Sequence, residues 1–329
     1  MHKKLFLFVV LLLLFTVKTF AYKQPLDKYG VTEIQASILV LDLENIDSGK
    51  MTFQANILFL YEWQDNSLIH SGKFNINKKL EDIWHPSFQI VNMQKAINTF
   101  DDKAEITPKG KVYYVQRIFG TFSQPLYLSR FPFDKHFLNL TIVPEGYSGC
   151  ENIKLIQNPN KESGVAKVLS IPDWSVLNFS TKAAYYQPFP KYGKVPSLTF
   201  SLEVERHYGY YIVKIVLPLI LIFFMSWVVF WLEPKELKAQ LAVSVTSMLT
   251  LIAYRFTIGG ILPRISYLTN LDFLVLGSTI LVFASLMEVI YAVHLAKSDK
   301  LKKAISLNRF CRWFFPLIFL MLILMSIFC

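Results

Sequence analysis

The run from Ala239 to Tyr254 contains no charged residue. At about 1.5 Å per residue, a helix of that length crosses most of a bilayer core. It suits lipid poorly, because Gln240, Ser244, Thr246, Ser247 and Thr250 need hydrogen-bond partners that hydrocarbon lacks. Such a helix belongs among other helices. Ala242, Thr246, Leu249, Ala253 and Phe256 recur at alternating spacings of four and three, the seam by which a helix meets its like. Repeated about a symmetry axis, this seam stacks a ring of hydroxyls beneath a ring of leucines, a place for ions and a place to stop them. An ordinary helix buried in a bundle has the same spacing, so periodicity alone does not separate the two.

Three more apolar runs accompany it. Tyr211 to Leu232 holds one charge, Lys214, and Pro218; Leu274 to Leu295 holds one acid, Glu288; Trp313 to Cys329 holds none. Four helices are therefore expected at about 211–232, 238–262, 274–295 and 310–329. With 53% hydrophobic residues, the chain is too apolar to be wholly water-soluble. Its net charge of +10 does not indicate nucleic acid, since the bases form no single stripe with interleaved aromatics. Many sit at membrane edges instead. Residues 296–312 contain Lys297, Lys300, Lys302, Lys303, Arg309 and Arg312 against Asp299 alone, whereas 263–272 has only Arg264 as a base. That asymmetry puts 296–312 in the cytoplasm and both ends of the chain outside, in a multi-pass protein of the plasma or inner membrane.

The N-terminus agrees with this orientation. His2, Lys3 and Lys4 precede the apolar run Leu5 to Phe15, and Thr19-Phe20-Ala21 offers a small-residue cleavage site. A signal peptide is expected at 1–21. Between it and the first span, residues 22–206 alternate apolar and polar residues in short segments, among them Gln35–Leu43, Thr52–Trp63, Lys111–Thr121, Phe137–Val143 and Leu198–Val204. This predicts an all-β, immunoglobulin-like sandwich outside the cell, followed by a four-helix transmembrane bundle at 207–329. Residues 184–193 combine four aromatics with two prolines and a glycine, which predicts a loop whose aromatics cannot all be core. Of the three cysteines, only Cys150 falls in the exported part, so no disulfide is expected. No paired carboxylates, Ser/His/Asp series, phosphate loop or metal-ligand spacing points to an enzyme, a metal site or a cofactor.

A known family comes into view at Phe131-Pro132-Phe133-Asp134. Together with Ile46-Asp47 and Phe53, Trp63-x-Asp65 with Leu68, Trp84-x-Pro86 with Asn92, Asp173-Trp174, Arg206, Pro218 and Ile261-Leu262-Pro263-Arg264, it makes an ordered series. The chain, over roughly residues 32–329, resembles the pentameric ligand-gated ion channels, the Cys-loop receptor superfamily. It resembles the prokaryotic members more than the animal receptors: Gln124 and Leu138 occupy the positions of the disulfide pair, and the cytoplasmic connection is brief.

The resemblance implies a homopentamer with a pore lined by the second span, at Ala242, Thr246, Leu249, Ala253 and Phe256, and with Leu249 as a hydrophobic gate. It places the selectivity mouth at Glu236, Lys238 and Ala239, where cation-selective relatives carry an acid; Ala239 beside Lys238 leans toward anions, while a Glu236 ring would favour cations. It pairs Arg206 with Asp47 and Asp134, and lets Phe133 and Pro263 pass motion to the pore. It also implies an agonist pocket at the subunit interface from Tyr185, Tyr186, Phe189 and Tyr192, with Tyr147 and, from the neighbour, Trp63. Aromatic cages suit amines. Two other readings stay open. One is a proton-gated channel, although a proton-gated relative carries a histidine where this chain has Leu251; the other is a membrane-anchored ligand sensor that does not conduct.

Overall fold

A computed structural model describes residues 22–145, 152–190, 193–233, 236–260, 262 and 265–328. The expected signal peptide and the expectations placed on Tyr147, Cys150, Tyr192, Pro263 and Arg264 lie outside the described residues.

The exported part is a sandwich of two sheets. One sheet contains β1 (Thr32–Asp47), β2 (Thr52–Gln64), β3 (Ile76–Lys79), β5 (Met93–Asn98), β6 (Lys103–Ile106), β7 (Lys111–Ser123), β9 (Ile153–Gln157) and β10 (Gly164–Val165). The other has the order β11 (Trp174–Tyr186), β12 (Val195–Arg206), β8 (Lys135–Pro144), β4 (Phe88–Ile90). The period of two in the sequence decides what faces inward. Leu138, Leu140 and Ile142 of β8 lie opposite Leu202, Phe200 and Leu198 of β12, and all six are sealed from solvent. They meet Phe53, Ala55, Ile57 and Phe59 of β2 in one core. Each large side chain buried there contributes about 1.5–3 kcal/mol, and a one-residue slip would turn the whole row outward. Strands expected from the sequence all form, longer than read by one residue in β2 and by two or more in the others. Tyr185 and Tyr186 are a correction: they close β11, paired with Pro196 and Val195, so the loop starts after them.

Four helices follow without a linker: α1 (Gly209–Trp231), α2 (Leu237–Ile258), α3 (Asn270–Lys297) and α4 (Leu301–Phe328). Each is long and apolar enough to cross a membrane. Pro218 lacks an N–H, and the turn before it, Ile212–Val216, is wound as a π-helix. The Ile215 carbonyl there accepts a hydrogen bond from the Tyr254 hydroxyl at 2.6 Å, which ties α1 to α2. Helix α2 stops at Ile258, short of the expected 262, where Gly259 and Gly260 follow. Thr269 and Asp272 cap α3 reciprocally. Helix α4 begins at Leu301 rather than near 310, so most of the expected cytoplasmic loop is helix. The reason is a packed face: Ala304, Asn308 and Cys311 turn inward while Lys302, Lys303 and Arg309 stay exposed. The bases mark the membrane edge and not a break in the helix.

Candidate functional site

Where β12 runs into α1, Arg206 is only 5% exposed. Its guanidinium forks onto one carboxylate, with Nε donating to Asp134 Oδ1 at 2.8 Å and Nη2 to Asp134 Oδ2 at 2.9 Å. Nη2 also donates to the Ser48 hydroxyl at 2.7 Å, and Nη1 reaches the Tyr211 hydroxyl at 3.4 Å. The Trp174 ring lies under the guanidinium, 4.1 Å from its centroid, and the Phe131 ring stands at 4.9 Å. His136 adds a further contact, its Nε2 being 2.6 Å from Asp134 Oδ2. Burial alone would push the Asp134 carboxyl up, but the bonds from His136 and Arg206 and the charge of Arg206 outweigh it and hold it at about 2. The carboxylate is thus charged at any ordinary pH.

Asp47 is not a partner of Arg206, contrary to the expectation from resemblance. The β1–β2 turn captures its carboxylate locally: Oδ1 accepts from the backbone N–H groups of Gly49 and Lys50, and Oδ2 pairs with the Lys50 ammonium at 3.1 Å. Ser48 takes its place on the guanidinium. The Phe133 ring rests against Tyr208, 5.1 Å between centroids, at the start of α1. The same loop holds the α2–α3 connection through backbone groups, as the Leu128 N–H donates to the Tyr267 hydroxyl and the Asn270 N–H donates to the Ser129 carbonyl, each at 2.9 Å. Sequence reasoning missed Ser48, Tyr267 and the bond made by His136. For His136 a signal existed, since Asp134 stands directly before β8 and residues two apart in extended chain share a face.

Helix α2 has two opposed faces. Gln240, Ser244, Ser247, Leu251 and Ile258 are buried against the other helices, and the Gln240 amide donates to the Leu232 carbonyl at 3.0 Å. Ala239, Ala242, Thr246, Leu249, Ala253 and Phe256 are open, with Leu249 61% and Phe256 83% exposed. This face carries large apolar side chains that no other part of the described chain covers. The Thr246 hydroxyl donates to the Ala242 carbonyl at 2.7 Å, as threonine does inside helices, so its lone pairs point away from the backbone. Glu236, at the N-cap, and Lys238 are both exposed at the other end of the helix.

The predicted aromatic pocket comes together only in part. Tyr185 is 73% exposed and Phe189 also faces solvent, whereas Tyr186 turns into a cavity of about 210 Å³ with Gln89, Val143, Pro144 and Val195. Trp63 must be corrected: it is 2% exposed and packs edge-on against Trp84 in the core. Its neighbour Glu62 points the other way, into a charged cluster that sequence reasoning did not assemble. Lys111 and Lys161 contact the Glu62 carboxylate at 2.7 and 2.8 Å and lie over the Tyr113 ring at 5.1 and 4.7 Å. Burial would raise the Glu62 carboxyl, yet the two ammonium groups hold it below its ordinary value. Among the described residues, no cluster of His, Cys, Asp or Glu has the makings of a metal site.

Two sequence profiles divide the chain between them. Residues 21–208 match the neurotransmitter-gated ion-channel ligand binding domain, and residues 215–305 match the neurotransmitter-gated ion-channel transmembrane region. A proton-gated ion channel of Gloeobacter violaceus is 26% identical over 295 residues, covering 88% of this chain and 80% of that protein.

Proposed function

This chain belongs to the neurotransmitter-gated ion channels, and on that premise we propose that five copies close into a ring whose axis is walled by α2. The protein is a multi-pass membrane protein and a ligand-gated ion channel. The opposed faces of α2 carry the proposal for the pore: the face with Gln240, Ser244 and Ser247 is buried inside one chain, so the open face is left for the lumen. Leu249 then closes the resting pore by excluding water, and Thr246 lines the path below it. Exposed apolar residues on the other helices, such as Leu221, Ile280 and Leu317, meet lipid.

Agonist binding at the subunit interface of the sandwich opens this pore. Tyr185, Tyr186 and Phe189 form one side, and an amine is the ligand chemistry that such rings favour. The junction of Arg206, Asp134 and Ser48 carries the motion down, and Tyr267 and Asn270 receive it at the α2–α3 connection. A proton is the second candidate trigger, because the similar Gloeobacter violaceus protein bears that description. Ion sign follows from the mouth: Lys238 and Ala239 stand open where Gln240 turns into the bundle, which favours anions, with Glu236 as the opposing charge.

Purified full-length protein in a planar bilayer tests this. Discrete currents evoked by small amines such as ethylammonium and choline, or by a step to acid pH, are the expected result. Their absence under all these conditions would favour a sensor that does not conduct.

A further inference from the structure

At the junction, a guanidinium and an imidazole are aimed at one carboxylate. Asp134 Oδ2 accepts from Arg206 Nη2 at 2.9 Å and meets His136 Nε2 at 2.6 Å. Asp134 is ionised, so the proton in the His136 contact belongs to the imidazole, and neutral His136 is the tautomer with hydrogen on Nε2. Nδ1 is then the atom that takes up a second proton. The ring is 6% exposed, with Trp174 at 5.8 Å between centroids. Other charges nearby are already matched: Lys135 pairs with Glu205 at 3.1 Å, Lys50 pairs with Asp47 at 3.1 Å, and His207 is held by the Ser175 hydroxyl and the Pro172 carbonyl. Asp134 is the charge that His136 meets directly, with Arg206 on the same carboxylate and the Tyr211 phenol beyond it on Arg206.

We propose that His136 is a positioning residue for gating, and that its protonation loosens the grip of Arg206 on Asp134. With neutral His136 the buried group carries one cation and one anion, and the fork is balanced. An imidazolium adds a second cation beside the guanidinium, draws Oδ2 toward itself and repels Arg206, which keeps Ser48 and Tyr211 as neutral partners. Histidine is the side chain whose unperturbed charge change lies between about pH 5 and 8, and a pH step across that range is the way to look for the effect. This inference rests on the proposed coupling role of Arg206, but the link itself can be measured without any current.

Hydrogen–deuterium exchange on the full-length protein in lipid nanodiscs measures it, with rates corrected for the intrinsic pH effect. On moving from pH 7.5 to 5.5, peptides spanning residues 128–137 and 204–211 should exchange about tenfold faster, the equivalent of one charge-assisted hydrogen bond. His136→Gln keeps an N–H donor and cannot titrate, so it should hold the neutral-pH protection at both values. Wild-type junction peptides that ignore the pH step would overturn the proposal whether or not the variant folds. An acid response that persists in His136→Gln would overturn it as well. Silence in the bilayer would count against the channel reading and leave the exchange result standing.

Discussion

Arg206 is almost wholly enclosed by protein, so its bonds cannot be exchanged for water without moving the junction. Replacing it with glutamine removes the fork but leaves Asp134 the donor of His136, and the core of either domain is untouched. Arg206→Gln is therefore expected to assemble normally and to lose gating; wild-type currents from that variant would refute the coupling role. Acid gives a second test. The Asp134 carboxyl, near about 3.9 in an unfolded chain, is held at about 2 in the folded one. A depressed value stabilises the fold above the unfolded value and is lost as pH falls toward the folded one, a contribution on the order of 2 kcal/mol. Melting temperature should thus decline between about pH 4 and 2, and Asp134→Asn should flatten that decline while lowering stability at neutral pH. An equal slope in both proteins would mean that other carboxylates dominate.

Helix α2 is where sequence and structure bear most directly on each other. Leu249→Ser keeps the helix and its buried polar face but removes apolar surface from the proposed gate ring, so current without agonist should rise by about tenfold or more; a variant as quiet as wild type would move the gate elsewhere, with Phe256 the next candidate. The two faces of α2 were legible because a period of 3.6 sorts residues by angle, and the strands were legible because a period of two does the same. The misreadings came where position was taken from resemblance and local chemistry decided otherwise. Asp47 sits in an Asp-Ser-Gly-Lys turn, which captures its own carboxylate. Trp63 continues the inward row of Phe53, Ala55, Ile57, Phe59 and Tyr61, an alternation that already placed it in the core. The start of α4 was obscured because bases at a membrane edge look like a loop. The cluster of Glu62, Lys111 and Lys161 was invisible for another reason: its members come from three segments that only the sheet and the Lys161 crossover bring together.

At the scale of the molecule, the proposed ring makes this chain one pillar of a larger object. The sandwich and the bundle share one continuous core cluster, from Ile34 in β1 to Leu274 in α3, so the junction is packed rather than hinged on a flexible linker. Charge selection is a property of the assembled mouth. With the salt gradient set across the bilayer, reversal potentials should follow chloride, and Lys238→Glu should move them toward the cation value; an unchanged potential would assign the filter to Glu236 or to another ring. The open face of α2 also has a genetic consequence. In the proposed ring each subunit supplies one wall of a shared opening, so a single copy with a faulty face is expected to spoil the opening for its neighbours. If that ring has five copies, the fraction of channels without a defective chain falls as the fifth power of the wild-type share when the two are made together, and a lesion at Leu249 is expected to behave as dominant.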